Sequence, residues 1–220
     1  MCKANNRVAE IDWVVSNKEC CDYVNSIEFM EKIAKDIIEK KSFNKIILTE
    51  YKAIITAGTS ANSAEILIRQ KIPIVQTGRG GKYTFHGEGQ RIIYPIIDLT
   101  GSPWNQDLKK YLNFLHNWII KTLKYFGISA HRRDDHIGVW VKKEGLDSKI
   151  AAIGIRVRKW VVFHGAAVNI TTDLENFKSF IPCGVKNLGV TSMLEMGVKI
   201  SLDEFDKILK KEYYNSILTL

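Results

Sequence analysis

Apolar residues recur along this chain with two periods, and the alternation between them outlines the fold. Ile27, Met30, Ile33, Ala34, Ile37 and Ile38 fall at helical spacing and predict a first amphipathic helix. Leu108, Tyr111, Leu112, Leu115, Trp118, Ile119, Leu123 and Phe126 predict a second, with Ser102-Pro103 as its start signal and Gly127 as its stop. Asp203 to Leu218 reads as a closing helix, and a short one is expected near Leu174 to Phe177.

Between the helices lie strand-like runs. They are Glu10 to Val15, Lys45 to Thr49, Tyr51 to Thr56, Ile72 to Val75 and Ile92 to Leu99. Ala57 to Ser60 reads as a turn, and Ser63 to Leu67 as a short helical turn. Pro95 lacks an N–H, which demotes the Ile92 run to an edge strand or a bulge. Ile137 to Val141, Ile150 to Ile155 and Val161 to Ile170 read as three adjacent antiparallel strands, with Lys142 to Lys149 turning between the first two. There is no internal repeat and no low-complexity linker, so residues 1–220 read as one domain. The class is α+β, or mixed α/β: a mixed sheet flanked by helices.

Composition narrows the function. A hydrophobic content of 45% and a charged content of 25% are ordinary for a globular chain. No apolar run reaches the roughly 20 residues of a membrane span. Met1 to Arg7 holds no apolar signal region, so the expected location is the cytoplasm. The net charge of +8 favours encounter with acidic partners. Nucleic acid is one candidate, but no basic arm is present and the lysines are dispersed over helix faces. Acidic carrier proteins are another.

The segment from Arg79 to Gln90 stands apart and reads as a binding loop. It holds Gly80, Gly81, Gly87 and Gly89 beside Arg79, Lys82, Tyr83, Thr84, Phe85 and His86. Glycine lets a ligand approach the main chain closely. The segment matches neither GxGxxG nor GxxxxGK[ST], so a phosphate cradle is poorly supported. Tyr83, Phe85 and Tyr94 argue for an apolar ligand surface.

Four cysteines, Cys2, Cys20, Cys21 and Cys183, form neither a disulfide framework nor a CxxC pair. Cys183 sits between Pro182 and Gly184, at a bend a carbonyl could approach. Burial as a small hydrophobe is the competing reading. Lys149 begins an apolar strand, where an ammonium held near protein suits proton shuttling; a snorkelling strand-end lysine is the alternative. His86 and His164 each precede a glycine and can serve as base, ligand or pocket wall. No second ligand lies at a metal-binding spacing, so no metal is expected.

Taken in register, these motifs resemble a known family. The Arg79 to Gln90 segment, Tyr94 to Leu99, Gly138 to Val141, Lys149 to Arg156, Phe163 to Asn169, Pro182 to Gly184 and Gly189 to Ser192 resemble the signature of lipoyl(octanoyl) transferases. The resemblance implies the fold of the biotin/lipoate protein ligase catalytic domain. It implies transfer of an octanoyl group from acyl carrier protein to a lysine of lipoyl domains, in 2-oxoacid dehydrogenase complexes and the glycine cleavage H protein. Cys183 falls at the position of the acyl-thioester nucleophile and Lys149 at that of its activating lysine. Arg79, Gly80, Gly81, Lys82, Tyr83, Thr84, Phe85 and His86 would bind the acyl group, together with Ala152, Ile153, Gly154, Gly165, Ala166 and Ala167. The chain would be a monomer with no metal and no cofactor, the acyl donor arriving on the carrier's phosphopantetheine. Three positions depart from the usual pattern: Glu88 for proline, Lys82 for glutamine and Phe85 for tyrosine. Two alternatives stay open: an ATP-dependent lipoate or biotin ligase, and a basic nucleic-acid-binding module.

Overall fold

The computed structural model describes residues 11–16, 22–67, 71–180 and 188–220. Its main sheet has eight strands. Seven follow the order β1 (Asp12–Ser16), β2 (Lys45–Thr49), β6 (Gln90–Asp98), β10 (Val161–Asn169), β9 (Leu146–Arg158), β8 (Val139–Lys143) and β7 (Ala130–His131). The eighth, β11 (Gly189–Val190), pairs with β9. The β1–β2 and β11–β9 pairs are parallel and the others antiparallel, so the sheet is mixed. A second sheet orders β4 (Ile74–Gln76), β3 (Ile54–Ala57) and β5 (Tyr83–His86).

Strand periodicity explains why helices cover both faces of the main sheet. On β6, Ile93 and Ile97 enter one core, while Ile92, Tyr94 and Ile96 enter the other. The first core is closed by α2 (Leu108–Tyr125) and α3 (Leu202–Ile217), and holds Trp104, Tyr111, Phe114, Trp118, Phe205 and Tyr213. The second is closed by α1 (Tyr23–Ile38) through Tyr23, Met30, Ile33 and Ile37. Each helix starts at a side-chain cap: Asp22, Asp107 and Ser201, the last in a capping box with Glu204. Trp118 Nε1 donates to Leu209 O at 2.7 Å, joining α2 to α3. The fully buried Arg91 on β6 pairs with Asp206 on α3 at 2.9 Å.

The structure differs from expectation at four places. Pro95 does not mark an edge, since β6 runs through the sheet interior between β2 and β10. The sheet accommodates it locally: pairing with β10 passes from Val162↔Ile97 directly to Ala166↔Ile93, opening the ladder around the missing N–H. The turn after β8 is only Glu144 and Gly145, so Lys149 is the fourth residue of β9 rather than its start. Tyr51 to Ala53 precede β3 instead of belonging to it. The glycine-rich segment is a loop only as far as Lys82, after which β5 begins. Glu10, from the first expected strand, lies outside the described residues, as do all four cysteines, Cys183 included.

Candidate functional site

A cavity of about 380 Å³ opens between the glycine-rich segment, β9 and β10. Arg79, Gly80, Gly81, Lys82, Tyr83, Thr84 and His86 form one wall. Ala152, Ile153 and Gly154, with Gly165, Ala166 and Ala167, form another, and Lys149 stands among the lining residues. Thus thirteen of the fourteen residues expected to bind the acyl group share one cavity with the lysine expected to act on it. The exception is Phe85. It points away, into a small core where it meets Phe177 edge-on at 5.5 Å. Side chains alternate along a strand, so Thr84 and His86 cannot share their face with Phe85.

Arg79 fastens the glycine-rich segment in place. Its Nη2 donates to Thr56 O at 2.8 Å, Thr56 Oγ1 at 2.7 Å and Lys82 O at 3.0 Å, and its Nη1 donates to Gly80 O at 3.0 Å. Gly80 N donates to Ile155 O at 3.0 Å, tying the same segment to β9. Lys82 pairs with Glu65. Most of these contacts are to backbone, so Arg79 shapes the wall. The glycines likewise serve protein-to-protein contact. A Cβ on Gly165 would lie 2.3 Å from Ile93 O and 2.5 Å from Pro95 Cδ, so only glycine lets β10 pass β6 here.

Lys149 is buried, although it is a lysine near a strand end. Its Nζ donates to Ile137 O at 3.0 Å and lies 4.6 Å from the centre of the Trp140 ring, a cation–π distance. Gly138, at φ +134°, gives it passage: a Cβ there would come within 3.0 Å of Lys149 Cε. The lysine backbone is pinned as well. Val190 pairs with it, and Thr191 N donates to its carbonyl at 3.0 Å. The Lys149 ammonium thus contacts a carbonyl and an aromatic face, and the residue lines the cavity.

The histidines are buried among tyrosines. His86 Nδ1 lies 2.7 Å from Gln90 Oε1, so it carries the proton; Nε2 then accepts from Thr56 Oγ1 at 3.4 Å. Burial lowers its pKa to about 4, assisted by the charge of Arg79 and opposed by the Gln90 bond. Burial likewise lowers His164 to about 3, with Arg79 and Arg156 adding to the effect. Both rings are neutral at pH 7. Burial raises the Tyr23 and Tyr94 hydroxyls, which stay protonated. His164 has φ +58°, a left-handed conformation that costs a non-glycine residue about 1–3 kcal/mol.

Tyr23, Ser60, Leu112, Asp135, His136, Ile137 and Ile155 complete the lining and were not singled out in the sequence. No local signal marks them. Tyr23 and Leu112 are ordinary members of amphipathic helices, and only the packing of those helices delivers them to the cavity. Among the described residues no cluster of His, Cys, Asp or Glu could hold a metal ion, and no helix is long and apolar enough to cross a membrane.

Similarity to known proteins agrees with this geometry. The family model for the lipoyl protein ligase A/B catalytic domain matches residues 22–214. The octanoyltransferase of Rickettsia canadensis (strain McKiel) is 47% identical over 199 residues, covering 90% of this chain and 95% of that protein. The octanoyltransferase of Rickettsia bellii (strain OSU 85-389) is 47% identical over 87% of this chain and 92% of its own length. Among solved structures, a bipartite lipoate protein ligase from Thermoplasma acidophilum superposes with TM-score 0.71 at 14% identity, covering 95% of this chain and 85% of that one. A biotin protein ligase from Aquifex aeolicus gives 0.54 at 12%, covering 95% and 70%. These two likenesses speak to fold alone, and the fold is that of the lipoate and biotin ligase catalytic domains. The family model and the Rickettsia relatives reach further: the chain belongs to the lipoyl protein ligase A/B catalytic-domain family, among its octanoyltransferases, and is an acyltransferase.

Proposed function

We propose that the protein takes an octanoyl group from octanoyl-acyl carrier protein and places it on the side-chain amine of a lipoyl-domain lysine, by way of a thioester on Cys183. The observation that carries this reading is the buried ammonium of Lys149 among the lining residues of a largely apolar cavity. The acceptors would be the lipoyl domains of 2-oxoacid dehydrogenase complexes and the glycine cleavage H protein.

A free thiol is only a few per cent thiolate at neutral pH, so a nucleophilic cysteine needs a nearby cation or base. In the first half-reaction the Cys183 thiolate attacks the carrier thioester. The new thioester forms on Cys183 as the bond to pantetheine sulfur breaks, and Lys149 gives that sulfur a proton. In the second half the lipoyl-domain amine attacks octanoyl-Cys183. The amide forms, the Cys183 thiolate leaves, and neutral Lys149 takes the amine proton. One group thus acts as acid and then base. A thioester has less resonance stabilisation than an amide, so the sequence runs downhill without ATP. It calls for no metal, no cofactor, no nucleic acid and no membrane, and it can run in a cytoplasmic monomer.

Cys183 lies outside the described residues, but its neighbours in the chain support the assignment. Phe180 packs on Tyr83 of the cavity wall at 6.4 Å between ring centres, and Val190 pairs with Lys149 itself. The test is direct. Incubated with octanoyl-carrier, the protein should gain one octanoyl mass on Cys183 and deliver it to a lipoyl domain. Cys183→Ala that still gains and delivers the group would refute the intermediate. A requirement for ATP with free octanoate would move the protein to the ligases.

A further inference from the structure

On β10 the side chains of Val162, Ala166 and Val168 enter the α2–α3 core, while Val161, Phe163 and Ala167 enter the core beneath α1. By that alternation His164 belongs with Val162. It does not go there. Its φ of +58° turns the ring to the opposite side, where it stacks at 5.6 Å on the neighbouring Phe163 and meets Tyr94 edge-on at 6.0 Å. The ring lines the cavity and is 1% exposed, and neither of its nitrogens has a hydrogen-bond partner among the described residues. Strain and an unsatisfied buried imidazole are both unfavourable, and both are tolerated at this one position.

Its place in the cavity suggests a reason. The β9–β10 wall runs through the pairs Ala152↔Ala167, Ile153↔Ala166, Gly154↔Gly165 and Ile155↔His164. Lys149 precedes the first pair along β9, and His164 belongs to the last. An acyl chain whose carbonyl reacts beside Lys149 would therefore extend along small residues toward His164. From this geometry we infer that His164 ends the acyl-binding cavity and sets the longest chain the protein accepts. The inference rests on the acyl-transfer reading above and adds its specificity. A methylene gains nothing from imidazole nitrogens. A chain growing past the Gly154↔Gly165 pair has to crowd a ring that cannot retreat, because its backbone is fixed in the ladder with β9. The ring is neutral at working pH, so it opposes the chain through size and polarity rather than charge.

The experiment compares hexanoyl, octanoyl, decanoyl and dodecanoyl carrier as donors for the wild-type protein, His164→Gly and His164→Asn. Glycine removes the ring and accepts the left-handed backbone; asparagine also tolerates that backbone and keeps a polar group. The decanoyl-to-octanoyl ratio of kcat/KM should rise about tenfold or more in His164→Gly, the scale set by one or two methylenes in a pocket. In His164→Asn it should rise less. An unmoved ratio in a folded His164→Gly protein, with wild type transferring octanoyl, overturns this inference alone. Wild type that transfers no acyl group overturns the reading beneath it. Should His164→Gly fail to fold, 15N spectra of the wild-type protein's five histidines decide. Loading with decanoyl should shift the His164 ring signals more than loading with octanoyl does, and equal shifts overturn the inference.

Discussion

The two faces of the main sheet are built from the same strands to opposite ends. Toward α2 and α3 the space is filled by Trp104, Trp118, Phe114, Tyr111 and Tyr213, all almost fully buried. Toward the glycine-rich segment, β9 and β10 present Ala152, Gly154, Gly165 and Ala167, and a cavity of about 380 Å³ remains. The site is thus made by withholding side chains from one region of a sheet whose rigidity comes from the other. Charged groups occur on both sides: Arg91 on the packed side meets the Asp206 carboxylate, and on the cavity side Lys82 meets Glu65 while Lys149 contacts a carbonyl and an indole face.

Four experiments test that division, beginning with the largest effect. Lys149→Ala should lower octanoyl transfer by about 10²–10⁴-fold, the usual worth of a general acid–base group, and leave a cooperative melt. Steady-state kinetics beside calorimetry will show it, and unchanged turnover would remove Lys149 from the chemistry. Trp118→Ala should do the reverse. The loss of a buried indole and its bond to Leu209 should cost about 3–5 kcal/mol in denaturant unfolding, while activity per folded molecule is retained.

Acid should act on the cavity side. His86 and His164 have folded pKa values of about 4 and about 3, below the 6.5 of an unperturbed histidine. Between these limits the unfolded chain binds more protons, so stability is complete above about pH 6.5 and falls as the pH drops toward the folded values. At pH 5 each ring should account for about 2 kcal/mol of lost stability. His164→Asn should flatten the pH dependence of the melting temperature between pH 7 and 5, and an unchanged slope would contradict the shift. The mildest change is Ala152→Leu, which adds atoms to the cavity. Octanoyl capture should fall about tenfold by mass spectrometry, with stability unchanged or raised by up to about 2 kcal/mol. Undiminished capture would place the acyl chain elsewhere.

How far the sequence revealed this division depended on whether a signal was local. The helices were legible because apolar spacing acts within a few residues, although α2 starts at the Asp107 cap and not at the expected Ser102-Pro103. The wall residues were legible because several motifs stood in register. What failed was what packing decides. Pro95 read as an edge signal, yet a local opening of the ladder admits it to an interior strand. Phe85 reads as a wall residue if its segment is a loop; once β5 forms, alternation turns it into the Phe177 cluster. Tyr23 and Leu112 reach the cavity only through helix docking. The burial of Lys149 depends on Trp140 and Ile137, brought to it by a hairpin whose first strand ends two residues later and whose second begins four residues earlier than expected.

The small residues of the cavity wall also constrain how this protein can vary. At Ala152, Ala166 and Ala167 nearly every substitution adds atoms, so under the proposed function mutation there can shorten the accepted chain but hardly lengthen it, whereas a side chain at Gly165 would strike Ile93 O of β6. Room can be gained only where a larger side chain already lines the cavity, as at Tyr23, Tyr83, His86, Tyr94, Leu112, Ile153, Ile155 or His164. Drift at the alanines is therefore one-directional, and any lineage or laboratory selection that moves toward longer acyl groups should do so through those larger side chains.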